Sequence, residues 1–226
     1  MENNNSKYLK YAIGEIILVV VGILIALQIN NWNEQRKNNA FEKEILEQIT
    51  ANLIRDKLTL VDIQNNFETA ISSSNKILNF DWENSNQDSL KYWLGHIVQF
   101  ERFQPLTNAY EVIKSKGLDL ISNKQLRFLI GSYYDDMASH TIKSIGDIET
   151  SFNNDWLPLM KTEMESFKFQ TYVEVRDFSI FQEYHPARNI LKMNRDNFAG
   201  GQARIKAALN LIERILVLIT EELNSR

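Results

Sequence analysis

The hydrophobic pattern changes character three times along the chain. From Ile16 to Leu27, IILVVVGILIAL, no polar side chain occurs at all. Extended to Ala12 and Ile29, the stretch admits only Glu15 and Gln28 as ionisable or polar groups. A helix rises about 1.5 Å per residue, so some 20 residues from Leu9 to Gln28 cover about 30 Å, the thickness of a hydrocarbon core. Tyr8 and Tyr11 stand at one end and Trp32 at the other, where interfacial aromatics belong. An all-round apolar surface without a polar stripe favours lipid over a protein core. A cleaved signal peptide would need a small-x-small site after the run, and Gln28-Ile29-Asn30-Asn31-Trp32 offers none. A buried core helix is the remaining alternative for so short an uninterrupted run. The expectation is an uncleaved anchor at 11–31, behind a short segment at 1–10 and ahead of a domain at 32–226.

After Trp32 the period becomes helical. Leu46, Ile49, Leu53, Leu60, Ile63, Phe67, Ala70 and Ile77 recur at three- and four-residue spacings, interrupted by Asp56 and Ser74. One long helix from Asn33 to Phe80 is expected, with a break near Asn38 and Asn39. Asp81–Asp88 reads as a polar turn. A second helix carries Leu90, Trp93, Leu94, Ile97 and Val98 and is broken by Pro105. A third opens at Thr107 and stops at Gly117. Ser122 or Asn123 caps a fourth, from about Lys124 to Asn153, and Pro158 interrupts a short segment beyond it. The stretch 167–184, FKFQTYVEVRDFSIFQEY, is aromatic and partly alternating, which fits a small hairpin or an extended loop. Pro186 and Gly200-Gly201 bracket a short helical piece, and Gln202–Leu223 forms a last amphipathic helix whose charges exclude a second span. The fold class is therefore all-α: a transmembrane helix continuing into an antiparallel helical bundle.

Composition narrows the chemistry. The 226 residues contain no cysteine, which removes disulfides, zinc-thiolate sites and thiol catalysis. A net charge of -4 with mixed signs gives no basic footprint for nucleic acid. His96, His140 and His185 lie far apart, and none belongs to a Glu-x-x-His pair of the kind di-metal bundles use. No phosphate loop, dinucleotide fingerprint or nucleophile elbow is present, and no cofactor is expected. Gly200-Gly201 before a helix would suit an anion, but a hinge or cap explains it more simply.

Within the anchor, Glu15 lies close enough to the edge to snorkel toward Lys10, and Gly22 and Ala26 form a small-xxx-small pair that lets helices approach. Tyr11, Glu15, Gly22, Ala26 and Trp32 are its marked residues. In the domain, Tyr110, Lys114, Arg127 and Tyr133 gather around the Gly117 turn as partner or ligand candidates, with a corner packing its own aromatics as the default. Asp135 and Asp136 are adjacent carboxylates, but neighbours on a helix point about 100° apart, so solvated surface residues are expected.

Two blocks carry a resemblance. YAIGEIILVVVGILIALQINNWNEQRK at 11–37 and LTNAYEVIKSKGLDLISNKQLRFLIGSYY at 106–134 resemble the characteristic segments of an uncharacterised membrane-protein family of the Bacteroidota. The resemblance implies a single-pass inner-membrane protein with a helical domain, and brings no activity or catalytic residues. The functional expectation is a non-enzymatic interaction or sensory module, working beside the lipid bilayer through a protein partner or a homo-oligomer. The competing expectations are an accessory subunit of a membrane complex and an envelope enzyme with a carboxylate site at Asp135 and Asp136. Lysines and arginines flank the apolar run on both sides, so charge does not fix orientation. A periplasmic domain follows the usual signal-anchor arrangement.

Overall fold

A computed structural model describes the backbone of residues 5–225 and the side chains of residues 13–225. The chain divides into two compact units, Met1–Glu47 and Gln48–Arg226. Helix α1 is a single element, Asn5–Leu78. The expected break at Asn38 and Asn39 is absent, for two reasons. Asparagine costs a helix well under about 1 kcal/mol per residue, and Asn39 accepts a hydrogen bond from Gln35, one turn earlier, at 2.8 Å. No proline or glycine lies between Gly22 and Leu78 to stop the helix.

In the second unit, α1 runs antiparallel to α7, Pro186–Asn224. Three contacts fix the pairing. Arg188 donates to the carbonyl of Leu78 at 2.8 Å, so a cation from one helix caps the last turn of the other. Phe67 meets Phe198 edge-on at 5.1 Å, and Lys57 pairs with Glu213 at 3.1 Å. The apolar stripe of α1 is core: Ile49, Leu53, Leu60, Phe67, Ala70 and Ile77 are all fully buried. Ile205, Ala208, Ile212 and Ile215 answer it from α7.

The last helix overturns the expectation of a break at Gly200-Gly201, because α7 passes through both glycines. The pair is a packing device instead. A Cβ on Gly201 would sit 2.7 Å from Cε2 of Phe67, whereas one on Gly200 would meet open space. The anion-site reading of this pair falls with the break, since no helix begins there. At the true start of α7, Pro186 occupies the first turn and the His185 ring accepts the Ala187 N–H at 3.1 Å.

Between α1 and α7 lie the short α2, Leu90–Ile97, and α3, Asn108–Lys116. Helix α2 ends eight residues before Pro105, so that proline belongs to the connection and not to the helix stop. Gly117 does close α3, at φ 116°. Asn123 caps α4, Lys124–Gly131, accepting from two backbone N–H groups. From α4 the chain stays helical through a π segment, Ser132–Met137, then α5, Ala138–Ser151, a second π segment, Phe152–Trp156, and α6, Leu157–Glu163. Pro158 thus lies inside the helical run and does not interrupt it. The wider turn just before it absorbs the hydrogen bond that proline cannot donate.

The hairpin exists, shifted from its expected place. Strand β1, Met164–Lys168, pairs antiparallel with β2, Tyr172–Val175, with Phe167 opposite Val173 and Gln170 in the turn at φ 59°. Val173 and Val175 point inward at period two. Residues 176–184 are not strand: Phe178–Phe181 makes a 3-10 turn. Helix α2 lies directly on β2, and Gly95 permits the approach, since a Cβ there would sit 2.5 Å from the Tyr172 backbone.

Candidate functional site

The first π segment carries part of a polar cluster in the second unit. Tyr133 and Tyr134 both turn inward from it, at 0% and 8% exposure. Tyr134 stacks on Tyr110 of α3 at 4.6 Å and meets Tyr133 edge-on at 4.8 Å.

Each carboxylate of the cluster is held by a phenol. Asp56 is the gap in the α1 stripe and is 2% exposed. Tyr133 donates to its Oδ2 at 2.8 Å and the Leu106 N–H donates to its Oδ1 at 3.0 Å. One turn earlier, Asn52 donates to the Asn108 side chain at 2.7 Å. The α1 helix is thereby fastened twice to the start of α3. On the solvent side, Tyr110 donates to Asp135 at 2.6 Å and Lys114 donates at 2.7 Å. Tyr110 and Lys114 are four residues apart, on one face of α3, which is what lets both reach one carboxylate.

Electrostatics separate the two acids. Burial raises the Asp56 carboxyl above its usual range, opposed by the hydrogen bonds from Tyr133 and Leu106. The bonds from Lys114 and Tyr110 hold Asp135 below its usual range. All three phenols are pushed up, in each case first by burial, with Asp56 next for Tyr133 and Tyr134, and Asp135 for Tyr110. They therefore stay protonated, and Tyr110 and Tyr133 act as donors. Tyr134 differs from the other two: its hydroxyl is buried with no hydrogen-bond partner among the described residues. The cluster holds charge and ties α1, α3 and the π segment together through its hydrogen bonds.

Of the residues singled out in the sequence, Tyr110, Lys114, Tyr133 and Asp135 meet here. Arg127 stands apart on α4, half-buried and outside these bonds. Asp136 points away and pairs with His140 at 3.0 Å. Both aspartates are exposed surface residues, but they take different partners. Asp56, Leu106 and Tyr134 were not recognised as members. The available signal was a lone aspartate breaking an apolar stripe, since a charge at such a position needs partners when buried. Among the described residues no group of three or more His, Asp or Glu is placed to hold a metal ion.

In the first unit, Glu15, Gly22, Ala26 and Trp32 are exposed on α1, and Arg36 lies 5.7 Å from the Trp32 ring centroid. Tyr11 lies in α1 with its side chain outside the described residues. The helix from Ile13 contains an 18-residue window of mean hydropathy 2.3, none of it buried, and is long and apolar enough to cross a membrane by length and composition.

No curated protein and no solved structure is significantly similar to this chain. A family model does match, over residues 15–142, from Glu15 in the apolar stretch through Asp56 and the whole Tyr-Asp cluster. The chain belongs to that family, DUF6090, a family of unknown function.

Proposed function

We propose that this protein is a single-pass membrane-anchored helical module that acts by association or sensing and not by catalysis. The observation that carries the reading is the exposure of the apolar stretch. Eleven aliphatic side chains between Ile16 and Ile29 are 44–74% exposed. Covering them with lipid is worth on the order of 20 kcal/mol. The anchor confines the helical unit near a bilayer, which raises its effective concentration for partners there. The hydrogen bonds of the Tyr-Asp cluster tie α1 to α3 and so support a rigid display of the two helices. The reading includes an inner-membrane location, with the helical unit on the periplasmic side.

Carbonate extraction of membranes tests the anchor: the full-length protein should remain in the pellet, and release into the supernatant would contradict the reading. A C-terminal alkaline phosphatase fusion tests orientation, with activity expected. A well-expressed inactive fusion would place the domain in the cytoplasm. A second reading is an accessory subunit of a membrane complex, resting on the small-xxx-small pair Gly22 and Ala26, both exposed on α1. Gly22→Ile should then weaken assembly on co-purification.

A further inference from the structure

A groove of about 490 Å³ lies between α1 and α2. Its α1 wall includes Glu68, Ser72, Ser73 and Lys76, and its α2 wall Trp93 and His96. Glu68, Ser72 and Lys76 recur every four residues, so they stand on one face over two turns, about 12 Å. Glu68 and Lys76 are exposed and neither has an ionic partner among the described residues. The Lys76 ammonium instead lies 5.5 Å from the Trp93 ring centroid. Opposite, the buried Ser73 hydroxyl lies 3.3 Å from Nδ1 of His96 and orients the ring. Nε2 is then the ring atom left to meet a ligand. Burial first, and Lys76 second, lower the His96 pKa, so the ring is a neutral polar group at neutral pH.

An unpaired carboxylate and an unpaired ammonium two turns apart are complementary to a molecule carrying the opposite charges at its ends. A simple anion would be opposed by Glu68, and a simple cation by Lys76. A neutral ligand would use neither charge. An extended chain of three residues spans about 10 Å, matching the separation. We propose that this groove binds a short peptide with free ends. Its amino terminus meets Glu68 and its carboxylate meets Lys76. Ser72 and His96 meet its amides, while Trp93 holds the Lys76 ammonium in place. Capture of free peptide termini is an established recognition mode. Every lining residue belongs to Gln48–Arg226, so the site stands independently of the anchor.

The test is calorimetric titration of the full-length detergent-solubilised protein with trialanine, N-acetyl-trialanine and trialanine amide. Trialanine should bind saturably in the range of about 0.1–1 mM, because both end contacts are solvent-exposed. Capping either end should weaken binding about two- to fivefold. Glu68→Gln should remove the preference for the free amine alone, and Lys76→Met the preference for the free carboxylate alone. Both are surface substitutions, and unchanged circular dichroism melting will confirm that they fold. Equal binding of all three peptides, preferences unchanged in the variants, or no saturation by about 10 mM would overturn the proposal.

Discussion

Tyr133→Phe removes one oxygen atom from the centre of the second unit and leaves Asp56 holding a single donor. In the wild type, Tyr133 and the Leu106 N–H each satisfy one carboxylate oxygen, in a site where the aspartate is 2% exposed. A hydrogen bond to a charged group contributes about 1.5–3 kcal/mol, and an unsatisfied buried acceptor costs a similar amount. A loss of about 2 kcal/mol at pH 7.5 is expected, read by urea unfolding of the detergent-solubilised full chain. The pH dependence makes the test sharper. Burial already raises Asp56, so the folded state binds its proton more tightly than the unfolded state. Stability from this residue is present below the unfolded pKa and declines as pH rises through the folded one. Loss of the Tyr133 donor raises Asp56 further, so the variant's deficit should shrink as pH falls into the range where the buried acid is neutral. A deficit below about 0.5 kcal/mol, or one that does not change with pH, would refute the assignment of Tyr133 as a donor that favours the charged form of Asp56.

Adjacent glycines should respond oppositely. Gly200→Ala should stabilise by about 0.5–1 kcal/mol, since it gains helix propensity in open space, while Gly201→Ala should destabilise by about 1–3 kcal/mol by colliding with Phe67; thermal unfolding of the two variants checks both signs. Gly95→Ala should cost more than about 2 kcal/mol, because the obstacle is the Tyr172 backbone and not a movable side chain; the same melts report it. Asp135 is held below the usual carboxylate range, so its contribution is present above the unfolded pKa and is lost as pH falls through the folded one. Lys114 and Asp135 are each about half exposed, so Asp135→Asn should cost less than about 1 kcal/mol at neutral pH, with an effect that fades in high salt.

The helical period of α1 announced its buried face residue by residue, and the caps at Asn123 and Gly117 stood where turn chemistry puts them. Those features depend on neighbours in sequence. Three others were hidden, two of them because they depend on distant residues. Gly200-Gly201 reads as a break by local propensity, but Phe67 fills the space a side chain would need, and packing on α1 carries the helix through. Pro158 reads as a stop, yet the π turn before it accommodates the missing donor. Tyr133 and Tyr134 stand on the periodic face of the fourth helix and are buried, but nothing in that period points to Asp56 as their neighbour. The candidate cluster was legible in part: Tyr110, Lys114, Tyr133 and Asp135 were gathered by proximity to one turn. Asp56 lies 77 positions from Tyr133, and only the fold brings them together.

The chain has no cysteine, so single introduced thiols report position without background. We would compare Leu24→Cys, in the middle of the apolar stretch, with Tyr184→Cys, at a fully exposed side chain of the helical unit. Intact cells would be treated with a membrane-impermeant maleimide, whose access to the periplasm is confirmed by a control thiol there. A bilayer-embedded anchor with a periplasmic domain predicts rapid labelling at Tyr184→Cys and none at Leu24→Cys until the membrane is dissolved and the protein unfolded. Labelling of Leu24→Cys in intact membranes at a rate comparable to Tyr184→Cys would mean that water reaches the apolar stretch, and would contradict the anchored account.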